Sequence, residues 1–274
     1  MPNRIVGKGV VMDKQLYVLH TPRTGGNFIK QAVTPVLDAN SLSYYIKDQY
    51  TPHNVDFSEQ VFLAGHWGTY PITVRPNIDV VSVIRNPVEV RASIFVYFYD
   101  RVFGIRADYS KFSSLTDKFK YYVFDDTNFE IHRNMQARFI CNSADPVIFD
   151  PSLYSEQKYS LQAIKDIRTS KAFSWFVDNE NTSLENAMNN LSSFYSVHKY
   201  DNLNLTCQDI STWFNQNYNV DVEFNMSNLV NEGASTLPSG PSSTEQILEG
   251  LSSDEIERIE SFDSIDKAIY NQVV

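Results

Sequence analysis

A Gly-Gly turn stands between an apolar stretch and an amphipathic segment in residues 17–28. Two adjacent glycines let the backbone turn tightly with its N–H groups converging, and a helix that begins there adds its positive N-terminal end. Arg23 and Thr24, directly before Gly25 and Gly26, add side-chain donors. This arrangement is typical of a loop that binds phosphate.

A second candidate anion site follows the apolar run at residues 79–84, which predicts a buried strand. Asn86 is a favourable N-cap and Pro87 suits the first position of a helix, so a helix is predicted to begin there. Arg85 lies at the strand end and Ser93 lies about two helical turns further on. We expect these two donors to contact a second phosphate.

Together the two elements resemble the sulfotransferases that use 3'-phosphoadenosine 5'-phosphosulfate (PAPS), especially the carbohydrate-type branch, whose first loop reads roughly P-K-T-G-G-T-S. The matches are residues 22–26, and Arg85-Asn86-Pro87 with Ser93. The resemblance implies that the first loop holds the 5'-phosphosulfate end and that Arg85 and Ser93 hold the 3'-phosphate. It implies PAPS as the cofactor and the following cofactor-binding residues: Pro22, Arg23, Thr24, Gly25, Gly26, Asn27, Phe28, Arg85 and Ser93. No metal is predicted, because the two cysteines lack the spacing of metal ligands and the five histidines are scattered along the sequence.

Three weaker similarities to that family follow in the family's order. Residues 63–66 look like its Gly-His segment, residues 134–139 like its N-x-Q-T-R helix, and residues 259–270 like its closing helix. The polar residues of the second segment are predicted either to face the adenosine or the acceptor, or to bridge helices in the core: Asn134, Gln136 and Arg138.

The chain also departs from the family pattern. Arg23 stands where the family usually has lysine, and Asn27 where a Ser or Thr hydroxyl meets the phosphate. A guanidinium keeps the charge of lysine but is a planar fork, so its contact geometry differs from that of an ammonium group. Arg91 comes one residue later than the second arginine of the pattern, which rotates its side chain by about 100 degrees on a helix. No role is assigned to Arg91.

His66 is the predicted general base. It ends the apolar run 61–65, so it should emerge at the carboxyl end of a strand, where ligands of open α/β sheets bind. An imidazole titrates near neutral pH and can take a proton from an acceptor hydroxyl. Arg23 is the second predicted catalytic residue, because it would stabilise the leaving phosphate in an in-line sulfuryl transfer. His20 is a rival base whose position suggests packing beneath the loop.

The implied function is therefore transfer of a sulfuryl group from PAPS to a hydroxyl of a glycan or small molecule, leaving 3'-phosphoadenosine 5'-phosphate. One alternative is a P-loop nucleotide kinase or NTPase, but the sequence lacks G-x-x-x-x-G-K-[ST]. The other is a catalytically inactive nucleotide-binding module, which the replacements at Arg23 and Asn27 leave open.

The pattern of elements predicts one α/β domain over residues 1–274, with a central parallel sheet flanked by helices and a helix-rich second half. The resemblance implies that this domain has a P-loop-like sulfotransferase fold. Strands are expected at 14–20, 61–65, 79–84 and 194–200. Helices are expected at 26–38, 87–103, 115–141 and 155–192. Ser252 and Glu255 form a capping box for a last helix. The turn-rich segment 235–243 is either a connector or a loop that closes over the nucleotide.

Charge and composition restrict the partners. Residues 1–138 carry a net charge of +3 and the remainder −13, within the total of −10. Such an acidic second half argues against nucleic-acid binding. Without a signal-peptide core or an apolar run long enough to cross a bilayer, we expect no membrane association and a cytoplasmic protein of bacterial or viral type. The alternative is a trimmed Golgi-lumenal domain. Cys141 and Cys207 are predicted to be free thiols. The acceptor and the oligomeric state are not predicted.

Overall fold

A computed structural model describes residues 14–47, 57–98, 109–125, 133–143, 181–222, 224 and 243–274. These residues form an α/β fold around a five-stranded parallel sheet. The strands are β1 (Gln15–Leu19), β2 (Tyr44–Lys47), β3 (Phe62–Gly65), β4 (Ile78–Ile84) and β5 (Ser196–Lys199). The helices are α1 (Gly26–Ala39), α2 (Tyr70–Val74), α3 (Pro87–Phe98), α4 (Leu115–Phe124), α5 (Met135–Cys141), α6 (Leu184–Ser192), α7 (Leu203–Tyr218), α8 (Ser243–Glu249), α9 (Ser253–Phe262) and α10 (Ser264–Gln272).

The sheet has the order β2-β3-β1-β4-β5, with β1 at its centre. Each residue of β1 and β3 is buried, and their sequences are almost continuously apolar. Strands of a parallel sheet read this way because helices cover both faces. The structure thus confirms the predicted α/β class and is consistent with a P-loop-like fold.

Helices cover both faces of the sheet. On one face, α1 and α7 pack against Leu16 and Val18 of β1. On the opposite face, α3, α5, α6 and α10 pack with Tyr17 and Leu19. A third cluster joins α3 to α4, α8 and α9. The neighbouring strands β1 and β4 therefore send their helices to opposite faces, which opens a crevice at their carboxyl ends.

Local capping signals position the helices as the sequence predicts. Asn86 accepts a hydrogen bond from the backbone N–H of Val88 at 2.9 Å, and Pro87 is the first residue of α3. Ser252 and Glu255 form the capping box of α9. The segment 259–270 differs from the expected single closing helix, because the chain leaves helical geometry at Asp263 and α9 and α10 are separate. Asp263 is buried and accepts hydrogen bonds from Arg91 and from the backbone N–H of Asn134.

Several predicted segments fall partly outside the described residues. They are the end of the helix at 87–103 beyond Phe98, residues 126–132 of the segment 115–141, residues 155–180 of the segment 155–192, and residues 235–242 of the predicted loop. Within the described parts, 115–141 contains α4 and α5, 155–192 ends in α6, and 194–200 contains β5. None of the helices described here has the length and apolarity needed to cross a membrane. Cys141 and Cys207 are buried and free, and burial raises the pKa of the Cys207 thiol to about 12.

Candidate anion-binding and catalytic site

The loop between β1 and α1 lies at the crevice and has two residues in the left-handed region of backbone space. These are Arg23, with φ of 68°, and Gly25, with φ of 93°. Thr24 stabilises the turn, because its hydroxyl donates to the carbonyl oxygen of Thr21 at 2.8 Å and its backbone N–H approaches the same oxygen at 3.3 Å. The hydroxyl proton of Thr24 is thus used within the loop, whereas the sequence predicts it as a donor to phosphate.

Gly26 is required by close packing. A Cβ atom at this position would lie 2.1 Å from the imidazole ring of His20, which is buried beneath the loop as predicted. Gly25 is required by its positive φ, which L residues with a side chain rarely adopt. The two glycines therefore let α1 begin directly over the end of β1.

The N-terminus of α1 has main-chain donors that suit an anion. Gly25 is the N-cap residue and provides no capping side chain. The first N–H groups of a helix lack partners within the helix and carry the positive end of its dipole. The hydroxyl oxygen of Thr21, at the base of the same loop, is buried and receives no hydrogen bond from the described part of the chain. These groups fit an anionic ligand such as a phosphate or sulfate ester.

Arg23 extends from the loop towards α3. Its Nε donates to Ser93 Oγ at 2.9 Å, and its guanidinium lies over the ring of Tyr97, 5.1 Å from the centroid. Burial, and then the positive charge of Arg85, lower the pKa of Arg23. An anion bound beside Arg23 and Arg85 would raise the pKa of Arg23 again, because a negative charge favours the charged form of the guanidinium.

Arg85 reaches back to the loop from the end of β4. Its Nη1 donates to the carbonyl oxygen of Arg23 at 3.2 Å, and its Nε pairs with Glu89 at 2.9 Å. Its guanidinium also stacks on Tyr200, with 4.1 Å between Cζ and the ring centroid. The sequence predicts Ser93 beside Arg85; the structure brings Ser93 to Arg23, so the two predicted phosphate sites share side chains.

His66 follows β3 and has a defined tautomer. Its Nδ1 lies 2.5 Å from the carbonyl oxygen of His20. A carbonyl oxygen only accepts hydrogen bonds, so Nδ1 carries the proton and Nε2 is the basic nitrogen of the neutral ring. The His66 ring lies 4.4 Å from that of His20 and 6.0 Å from that of Phe139. An imidazole held in this way is suited to accept a proton at Nε2.

The remaining predicted residues of the loop have different surroundings. Asn27 is exposed on the first turn of α1, while Phe28 is partly buried and packs against the core under α1 and α7. Pro22 is partly buried. Asn27 is therefore open to solvent at the helix N-terminus, and Phe28 contributes mainly packing.

Arg91, to which the sequence assigned no role, is buried in α3 and forms a bidentate pair with Asp263. Arg138 is partly buried on α5; burial lowers the pKa of its guanidinium, while Asp266 and Asp263 act in the opposite direction. These residues lie in a polar core between α3, α5 and α10.

Residues without a sequence signal complete the site. Tyr97, Glu89 and Tyr200 contact the two arginines of the site. Their types are common on helices and at strand ends, so no local pattern distinguishes them. The part of the chain that is described contains no group of three or more His, Cys, Asp or Glu side chains arranged to hold a metal ion.

No model of a known protein family and no curated protein matches this chain.

Proposed function

We propose that this protein is a PAPS-dependent sulfotransferase that transfers a sulfuryl group to a hydroxyl of a glycan or small molecule. The observation that carries the proposal is the meeting of two arginines at the N-terminus of α1. The oxygen of Ser93 and the carbonyl oxygen of Arg23 each accept a hydrogen bond from these guanidinium groups, at 2.9 and 3.2 Å. A nucleotide with phosphate groups on both the 3' and the 5' oxygen of its ribose suits such a pair.

The first loop would hold the 5' end of the nucleotide. The backbone N–H groups of Gly26 and Asn27 belong to the first turn of α1, where an anion is favoured. Arg23 would add a charge-assisted hydrogen bond. Arg85 would hold the 3'-phosphate, assisted by Ser93. The phosphate would compete with the carboxylate of Glu89 for the guanidinium of Arg85.

When bound, PAPS supplies the sulfuryl group and a 5'-phosphate leaving group whose negative charge increases during transfer. His66 Nε2 would take the proton of the acceptor hydroxyl as its oxygen forms the new bond to sulfur. The resulting imidazolium is stabilised through Nδ1–H by the carbonyl of His20. Arg23 would stabilise the charge that develops on the leaving oxygen.

A transfer assay tests the assignment of the base. The protein is incubated with PAPS and a panel of glycans and small alcohols, with sulfated product followed by mass spectrometry. His66→Ala should reduce transfer by a factor of about 10²–10⁴, as expected for loss of a general base. It should leave affinity for 3'-phosphoadenosine 5'-phosphate unchanged.

His198→Ala is the matched control, because His198 lies on β5 and its Nε2 pairs with Asp209 of α7 at 2.6 Å. A fully active His66→Ala variant would reject the base. Wild-type protein that binds the nucleotide but sulfates no acceptor would favour an inactive binding module. Phosphoryl transfer that requires ATP and Mg²⁺ would favour a kinase.

A further inference from the structure

Gln136 forms a two-point contact with the main chain of Arg85. Its Oε1 accepts a hydrogen bond from the backbone N–H of Arg85 at 2.8 Å, and its Nε2 donates to the carbonyl oxygen of the same residue, also at 2.8 Å. Both partners are main-chain groups with fixed roles, so the orientation of the amide is unambiguous. The side chain is fully buried.

The contact lies directly after the last paired residue of β4. Ile84 is the last residue of β4 and still pairs with Lys199 of β5, whereas α3 begins only at Pro87. The backbone of Arg85 is therefore beyond the strand pairing and before the helix. Gln136 supplies the donor and acceptor that a neighbouring strand would otherwise supply.

Gln136 is itself held by the C-terminal helices. Asp266 accepts hydrogen bonds from the backbone N–H groups of Gln136 at 3.1 Å and Ala137 at 2.8 Å. In return, Asn134 Oδ1 accepts from the backbone N–H of Ile265 at 3.0 Å. The N-termini of α5 and α10 thus cap each other.

Asp263, at the break between α9 and α10, ties this assembly to α3. It accepts a hydrogen bond from the backbone N–H of Asn134 at 2.8 Å and a bidentate pair from Arg91. Arg91 and Arg85 flank the first turn of the same helix. The position of Gln136 is therefore fixed relative to the element that follows Arg85.

We propose that Gln136 is a positioning residue that fixes the backbone of Arg85, and through it the guanidinium that contacts the anion loop. We call the two hydrogen bonds between Gln136 and the main chain of Arg85 the clamp. Without the clamp, the backbone N–H and carbonyl of Arg85 would lose these partners. The contacts of its side chain to Glu89, Tyr200 and the carbonyl of Arg23 would then form less often. The consequence for nucleotide binding rests on the proposed function; the consequence for the order of Arg85 does not.

The test replaces Gln136 with methionine, which has a similar length and no amide. Gln15→Met is the matched control, because Gln15 is also buried and donates to main-chain carbonyls, those of Phe57 at 2.5 Å and Gln60 at 2.7 Å. Gln15 lies at the amino end of β1, opposite the crevice.

Two readouts are compared at equal fractions of folded protein. The first needs no ligand: it is the hydrogen exchange of the Arg85 backbone amide and of its Nε–H, followed by nuclear magnetic resonance. Gln136→Met should accelerate both by about two- to tenfold, the range expected for loss of a net hydrogen bond. Gln15→Met should leave both unchanged.

The second readout is the ratio of affinities for 3'-phosphoadenosine 5'-phosphate and ADP. Gln136→Met should lower this ratio, and Gln15→Met should not. Unchanged Arg85 exchange in Gln136→Met, or equal acceleration in both variants, would overturn the clamp. If Arg85 exchange responds as expected while wild-type protein shows no preference for the 3'-phosphate, the clamp stands and the proposed function fails.

Discussion

Arg23 combines a left-handed backbone, a partly buried guanidinium and a neighbour of the same charge. Each of these features is unfavourable, and residues with such backbone strain cluster at functional sites. The carbonyl oxygen of Arg23 receives Arg85, so the strained conformation also orients a second cation. The planar guanidinium of Arg23 contacts Ser93 and Tyr97 at the same time. A lysine ammonium has a different geometry and does not reproduce this pair of contacts.

Arg23→Ala should reduce kcat more than it weakens binding of 3'-phosphoadenosine 5'-phosphate, because the charge that it stabilises grows during transfer. Loss of one such donor typically lowers kcat by about 10²–10³-fold. Steady-state kinetics with calorimetric titration measure the two effects. Arg75→Ala, at the amino end of β4, controls for the lost charge. Equal losses in kcat and affinity would contradict a role in the transition state.

At the scale of elements, the strand-loop-helix unit depends on contact between Gly26 and His20. The imidazole fills the space next to the first residue of α1, so the loop and the histidine that supports His66 are one packed unit. This contact explains why the turn contains two glycines for different reasons, one for backbone conformation and the other for close approach.

Gly26→Ala should destabilise the protein and weaken anion binding, because its new methyl group would overlap the His20 ring. The double variant Gly26→Ala/His20→Ala should recover part of the loss, since it removes the ring. Urea unfolding of the single and double variants measures the coupling, which for residues in contact is about 0.5–3 kcal/mol. Strictly additive effects would show that the two positions do not share this space.

The elements were largely predictable because their signals are local. The apolar runs gave β1, β3 and β4, and Asn86-Pro87 and Ser252 marked the starts of α3 and α9. The break at Asp263 was not predictable in the same way, because it depends on contacts with Arg91 and Asn134, which are distant in sequence. The placement of Ser93 beside Arg23 also depends on how α3 packs over the loop. The predicted roles of these side chains remain predictions.

At the scale of the whole molecule, α10 is joined to the centre of the fold by buried carboxylates. Asp266 is fully enclosed; burial, followed by the nearby Asp263, raises its pKa to about 7. In the unfolded chain this carboxyl would ionise near its ordinary pKa of 3.8. Between pH 3.8 and about 7, Asp266 is therefore protonated in the folded protein and ionised in the unfolded chain. The folded protein loses this proton as the pH rises through about 7.

The contribution of Asp266 to the free energy of unfolding should thus be greatest below about pH 4 and decline as the pH rises towards about 7. Asp266→Asn cannot titrate, so the difference in unfolding free energy between wild type and this variant isolates the effect. Urea unfolding from pH 4 to 8 measures it. A difference that is independent of pH, or that grows with pH, would contradict the raised pKa.

In the proposed function, Arg85 and the loop after β1 together bind a nucleotide with a 3'-phosphate. Calorimetric titration with 3'-phosphoadenosine 5'-phosphate measures this binding, with ADP and ATP-Mg²⁺ as comparators and Arg85→Ala as the variant. The expected result is micromolar or tighter binding that requires the 3'-phosphate and collapses in Arg85→Ala. Preference for ATP-Mg²⁺, or affinity that ignores both the 3'-phosphate and Arg85, would contradict the claim.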